Sequence, residues 1–212
     1  MSNHAPPRGL IDRDLRVHGC NPLYAGFFGS TPREVMGEVY HDHFGLELSN
    51  ERMRYVRLAL ETGETHSCVG SLGGVLFRCS YQPIPPSSAS GRPDLVGCNS
   101  APFMLSFVEK AMRMENYHLM EYHDFGVLNV LSPVELQVLA RLCRGMTSRD
   151  IAEETHRSVR TIEGHRRNIG LKTGLSGISD LISKATSAGL GVLPYDKIKV
   201  SSREEKVAVR AS

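Results

Sequence analysis

The chain has no tryptophan, and its five cysteines (Cys20, Cys68, Cys79, Cys98, Cys143) are scattered without a C-x-x-C pair. Their odd number and irregular spacing argue against a disulfide framework or a zinc site and fit thiols kept reduced in a cytosol. No apolar run approaches the roughly 20 residues that a spanning helix needs. The opening MSNHAPPRGL has no basic segment followed by an apolar one, so neither a membrane span nor a secretory signal is expected, and the expected location is cytoplasmic. Phosphate-loop, His-Glu-x-x-His and Gly-x-Ser-x-Gly patterns are missing. Lys172-Thr173-Gly174 has no Ser-x-x-Lys companion. No catalytic residue is nominated and no enzyme is expected.

What is present is a chain of 212 residues, enough for two compact units, with its charge divided unevenly. Residues 1–130 hold 11 Lys/Arg against 14 Asp/Glu, a balance of −3. Residues 131–192 hold 9 against 6, and 193–212 hold 5 against 3. A basic C-terminal part suggests an anionic partner there.

Four helices are expected between 131 and 190. Ser132, Pro133 and Glu135 form a start signal, Val138, Leu139, Leu142 and Cys143 one apolar face, and Gly145 a stop. Thr147 or Ser148 begins a second helix that runs to about Thr155, and Ser158 begins a third. The fourth runs from Ser176 or Gly177 to Gly189, with Ile178, Leu181, Ile182 and Ala185 at helical spacing. The short break between the second and third describes a helix-turn-helix. With Val159, Ile162 and Ile169 inward, the third helix presents Arg160, Glu163, Gly164 and Arg167 outward. Arginine there can hold guanine O6 and N7 with two hydrogen bonds and release counterions from phosphates. Ser148 and Arg149, at the N-terminus of the preceding helix, suit a phosphate.

Leu131-Ser132-Pro133, Ile151-Ala152-Glu153 and the run Ser158, Val159, Thr161, Ile162, His165, with Asn168-Ile169, Lys172 and Gly174 in register, resemble the LuxR-type (GerE-like) DNA-binding domain. The resemblance covers about sixty residues. It implies an all-α four-helix unit that binds double-stranded DNA as a homodimer, with Glu163, Gly164 and Arg167 at base edges. Ser148, Arg149, Arg160, Thr161, Arg166 and Lys172 would address phosphates. RNA polymerase is a further partner such a regulator could have. The departures are Thr155 in place of a buried leucine, Gly164 and Gly170 within the recognition helix, Thr173 near its end, and Glu163 at a base-facing position where it could accept from cytosine N4. Glu163, Gly164, Gly170 and Thr173 motivate an alternative, a protein-interaction adaptor whose helix-turn-helix has lost specific DNA binding.

The first half alternates strands and short helices. Leu10 to Asn21 reads as two strands, Asn21 caps a helix at Pro22, and Thr31 with Glu34 forms a capping box. A longer helix at 50–62 turns Met53, Val56 and Leu60 inward and stops at Gly63. A hairpin around Gly73-Gly74, a Pro/Ser-rich loop at 83–94 and a last strand interrupted near Pro102 complete an α+β unit on one antiparallel sheet. Asn21, Pro22, Gly29, Pro32, Glu34 and Gly37 carry a resemblance to PAS sensor domains over 8–108, which implies dimerisation and a small ligand between helices and sheet. No cofactor and no metal are assigned. His41 and His43 lack a third ligand, the helix at 50–62 has no histidine for haem, and no flavin-type cysteine motif occurs. Phe27, Phe28, Met36, Met53, Phe77 and Phe103 are assigned to the core. Asp12 and Asp14 lie in a turn, unlike the acidic pair of a receiver domain, and lactone-binding domains use the tryptophan this chain lacks. Residues 109–130 read as a connecting helix, 131–192 as the DNA-binding unit, and 193–212 as a loose polar tail.

Overall fold

The structure, a computed structural model, describes residues 6–85, 94–103, 108, 113–175, 177–194 and 198–201. Strands β1 (Arg8–Asp12) and β2 (Val17–Cys20) pair antiparallel. Between them the Asp12 carboxylate accepts from the backbone N–H groups of Asp14 and Arg16, each at 3.0 Å. Helix α1 (Pro22–Ala25) is capped by the Asn21 side chain, and α2 (Pro32–Val35) by the capping box of Thr31 and Glu34. Helix α3 (Leu46–Thr62) ends at Gly63, whose φ of 73° closes the last turn.

The hairpin of β3 (His66–Leu72) and β4 (Val75–Pro83) turns at Gly73 and Gly74, and β5 (Leu95–Pro102) pairs antiparallel with β4 and β1. A sixth strand, β6 (Tyr117–Leu119), lies parallel beside β3, giving the order β2-β1-β5-β4-β3-β6. This is an α+β domain on one sheet, antiparallel except for β6, joined to an all-α helical unit.

The expected connecting helix over 109–130 does not form where the segment is described, from 113 onward; residues 109–112 lie outside the described residues. The chain instead makes β6, then β7 (Tyr122–His123), then a 3-10 segment at Gly126–Val130. Side chains that bond local backbone compete with a helix here. Asp124 accepts from Gly126 N, Gly73 N and Asn129 Nδ2, and Asn129 Oδ1 accepts from Phe125 N.

The C-terminal unit contains α4 (Pro133–Cys143), α5 (Ser148–Glu154), α6 (Val159–Thr173) and α7 (Ile178–Ser187). The tail is not loose throughout. Leu193 is fully buried, and β8 (Lys199–Val200) pairs parallel with β7. Residues 202–212 lie outside the described residues, as does most of the 83–94 loop.

Two apolar cores result. One lies between α3 and the sheet and includes Ile11, Tyr24, Tyr40, Leu48, Val56, Cys68, Leu72 and Tyr81. The other gathers Leu139, Ile151, Ile162, Ile169, Leu181 and Leu193 with Val69 and Leu76, so the helical unit packs on the far face of the β3–β4 hairpin. Every residue of β3 is buried, as expected for a strand covered on both faces. The contact is close. A Cβ on Gly189, at φ +85°, would lie 2.7 Å from Leu76 Cδ1.

Three core assignments need correction. Val159 is 44% exposed, because it opens α6 before the helix reaches its packing partners. Met36, 51% exposed, lies outside the core at the C-cap of α2. On α3 the buried positions are Leu48, Ser49, Arg52, Tyr55, Val56 and Ala59, so the inward face includes Arg52, whereas Met53 and Leu60 are only partly buried.

Candidate nucleic-acid interface

The α4 N-terminus is built by Ser132, whose hydroxyl accepts from Glu135 N while the Glu135 carboxylate accepts from Ser132 N at 2.8 Å. The same carboxylate receives Lys172 Nζ at 2.8 Å, tying α4 to the end of α6. Burial alone would raise the Glu135 carboxyl. Lys172, together with the Ser132 amide and hydroxyl, holds it below its usual range. Arg141, buried on α4, reaches Glu154 on α5 through Nε and Nη2 at 3.2 and 3.0 Å. Thr147 and Asp150 cap α5 reciprocally.

Four residues, Thr155 to Ser158, turn the chain from α5 into α6. His156 takes the left-handed conformation at φ 52°, and Arg157 N donates to Ala152 O at 2.8 Å. Ser158 then caps α6 by accepting from Thr161 N. The third helix runs 15 residues, through Gly164 and Gly170, to Gly174 in left-handed conformation. Thr173 Oγ1 donates to Ile169 O at 2.8 Å. Ile162 and Ile169, both fully buried seven residues apart, fix which side faces the core.

The opposite side carries Arg160, Thr161, Glu163 and Arg167, all exposed, with Gly164 half-buried between them. Arg149 is exposed on α5. Arg149, Arg160 and Arg167 take part in no ion pair among the described residues. The other nominated residues are engaged internally. Ser148 is buried and accepts from Arg166 Nη1 at 2.8 Å, and the same nitrogen donates to Glu163 Oε1 at 3.0 Å. Hydrogen bonding from Ser148, then the charge of Arg166, keeps the Glu163 carboxyl below its ordinary value. The helix face is therefore a cationic ridge with one ionised carboxylate set into it. Arg157, exposed in the turn, adds a positive charge that the sequence reading did not nominate; its position just before a helix cap is the signal that could have found it.

The interior of the N-terminal domain holds a polar group that the sequence reading missed. Arg52 is 3% exposed, its Nη1 donates to Cys79 Sγ at 3.3 Å, and its guanidinium carbon stands 5.2 Å from the centre of the Tyr40 ring. Charged residues are assumed outward when a helix is phased from sequence, so Arg52 was passed over. His41 and His43 are not brought together as ligands. His43 Nε2 instead pairs with Glu38 at 3.0 Å, and among the described residues no group of three His, Cys, Asp or Glu could hold a metal ion. Among those residues, too, no helix is long and apolar enough to cross a membrane.

Comparison with known proteins matches residues 129–185 to the family model for bacterial regulatory proteins of the luxR family, and residues 6–100 to the model of the PAS fold. No curated protein matches the sequence. Among solved structures, the chain is similar to the VqmA dimer of Vibrio cholerae (17% identity, 93% of this chain and 89% of that one, TM-score 0.45). It is also similar to a phage VqmA in complex with DPO (23% identity, 90% and 87%, TM-score 0.41). A domain of an HTR-like protein from Haloarcula marismortui covers 46% of this chain and 97% of its own, at 19% identity and TM-score 0.42.

Proposed function

We propose that this chain, which carries a luxR-type helix-turn-helix behind a PAS-fold domain, is a transcriptional regulator that lays α6 in the major groove of duplex DNA. One observation carries the reading: Arg149, Arg160 and Arg167 stand exposed, without ion-pair partners among the described residues, around a helix whose opposite side is locked by Ile162 and Ile169. Glu163, Gly164 and Arg167 address base edges, and the small Gly164 lets the helix approach the groove floor. Arg149, Arg160 and Thr161 address phosphates directly. Ser148, Arg166 and Lys172 also lie toward the backbone, and their internal bonds orient the helix while it docks.

The regulator acts as a homodimer in the cytoplasm. Leu171 and Ile178, 75% and 47% exposed, border a surface hollow of about 620 Å³ between α6 and α7 and offer an apolar contact. Residues 8–108 form the input unit, controlled by a small ligand, 131–192 the output unit, and RNA polymerase is the downstream partner of an activator built this way. The adaptor reading loses the part of its motive that rested on Gly164 and Gly170, because α6 remains one continuous helix through both.

The test is selection of genomic DNA fragments by the purified chain. Retained fragments are expected to share a sequence that Arg167→Ala no longer selects. Equal retention of all fragments by both proteins would refute specific readout.

A further inference from the structure

Beyond α7 the chain returns to the N-terminal domain, and its described parts there, 190–194 and 198–201, lie outside both family matches, which end at 185 and 100. On the helical side the segment is gripped by Arg144 at the C-cap of α4, whose Nε donates to Gly191 O at 2.8 Å and whose Nη2 donates to Leu193 O at 3.0 Å. Leu190 and Leu193 are fully buried in the core of that unit. On the other side β8 runs along β7. Lys199 N donates to Glu121 O and Ser201 N to His123 O, each at 2.9 Å, and Lys199 Nζ pairs with the Glu121 carboxylate at 2.7 Å. A pairing two residues long is too short to persist alone, so its place depends on what holds its ends.

What holds β7 is α3. Glu47 and Glu51 stand one turn apart on that helix. Glu51 Oε1 accepts from Glu121 N at 2.9 Å and Oε2 from Tyr122 N at 3.0 Å, so one carboxylate takes two successive backbone N–H groups in charge-assisted bonds. Glu47 Oε2 lies 3.5 Å from the hydroxyl of Ser201, which is buried at the end of β8. Bonds from α4 and bonds from α3 thus meet on one segment of chain.

We propose that this returning segment is a strap that ties α3 to the helix-turn-helix, with Glu51 as the positioning residue on which it hangs, so that α3 and the helical unit open together. It rests on the reading of the two halves as input and output, and it names a link between them besides the β3–β4 hairpin. The two links are separable. The hairpin meets the helical unit through apolar contact at Leu76 and Gly189, whereas the strap reaches α3 through backbone hydrogen bonds.

Hydrogen exchange of the full chain, read by mass spectrometry with and without a saturating duplex recovered from the genomic selection, tests the strap. Ser201→Pro deletes the N–H that His123 O receives, while Ser201→Ala keeps it. Without DNA, Ser201→Pro should speed exchange in the first half of α3 by about fivefold, the worth of one backbone hydrogen bond, and leave the β3–β4 hairpin within about twofold of the wild type. Ser201→Ala should stay within about twofold of the wild type in both places. Glu51→Ala cuts the other end and is read at residues 190–193, where exchange should also rise about fivefold; it decides the matter if the proline variant does not fold. A duplex stabilises the folded helical unit, and should therefore slow exchange in α3 of the wild type but not of Ser201→Pro. Unchanged α3 exchange in Ser201→Pro, unchanged exchange at 190–193 in Glu51→Ala, acceleration of the hairpin equal to that of α3, or a duplex effect on α3 that survives Ser201→Pro would overturn the proposal. A chain that binds no duplex at low salt refutes the regulator reading instead, and the comparison without DNA still decides the strap.

Discussion

Arginine-to-alanine replacements on the helix-turn-helix should divide into two classes by whether the side chain already has an internal partner. Arg149, Arg160 and Arg167 have no ion pair among the described residues, whereas Arg166 is held by Glu163 and Ser148. A cation that neutralises one phosphate contributes about 0.9 to the slope of log K against log salt, which between 50 and 200 mM amounts to about 3.5-fold in affinity per protomer. Arg149→Ala and Arg160→Ala should each lower the slope by about that amount, equally on a selected sequence and on a scrambled one. Arg167→Ala should in addition cost about 1–3 kcal/mol on the selected sequence alone, the worth of a bidentate base contact. Arg166→Ala should move the slope less than either, because the charge it removes is partly cancelled by Glu163. Fluorescence anisotropy of labelled duplexes over that salt range reads all four variants. A slope unchanged by Arg149→Ala, Arg160→Ala and Arg167→Ala but lowered by Arg166→Ala would refute the reasoning, since the free ridge would then not be the contact surface.

Three further outcomes follow from particular residues. His123 is buried between the domains, its Nδ1 accepts from Ser71 N at 3.2 Å, and burial lowers its pKa to about 4. The unfolded chain takes up that proton near pH 6.5, so stability present above 6.5 is lost as pH falls toward 4, by about 3 kcal/mol. Urea unfolding of the wild type and of His123→Gln at pH 7 and pH 4.5 should show the smaller drop in the variant. His156→Gly, at a φ of 52°, relieves a conformation that costs a side-chain-bearing residue about 1 kcal/mol and should raise the thermal midpoint by several degrees; a lower midpoint would contradict the turn geometry. Gly189→Ala combines positive φ with a Cβ 2.7 Å from Leu76 Cδ1 and should destabilise by about 1–3 kcal/mol, with faster amide exchange in the β3–β4 hairpin. Unchanged exchange there would mean that the helical unit does not press on the sheet.

The starts of the helical unit's helices were legible in the sequence because they carry chemical signals, Ser132 with Glu135, Thr147 or Ser148, and Ser158, whereas the end of the third helix at Gly174 was not read. Those signals are local and survive reading one segment at a time. Between 113 and 130 the determinants are distant. Tyr117 to Leu119 become a strand because β3 offers them an open edge, and Tyr122-His123 because Lys199-Val200 return to them, and no periodicity within either segment encodes the partner. The inward side of α3 was misphased for a related reason. An arginine at its centre breaks the apolar pattern, and only the neighbouring Tyr40 and Cys79 explain why it is buried.

The same distance between cause and sequence governs how the halves connect. Along β3, Cys68 and Leu72 belong to the core beneath α3, while Val69 belongs to the core shared with the helix-turn-helix. Successive residues of a strand point to opposite faces, so one strand is the common wall of both cores. On β4, Cys79 faces Arg52 and Leu76 meets Gly189 on the other side. A displacement of this hairpin by whatever occupies the inner core is therefore felt at the seat of the helical unit, because close-packed interiors pass strain on rather than absorb it. The two cores therefore share the backbone of two adjacent strands as their mechanical link, whatever the conformation of residues 113–130.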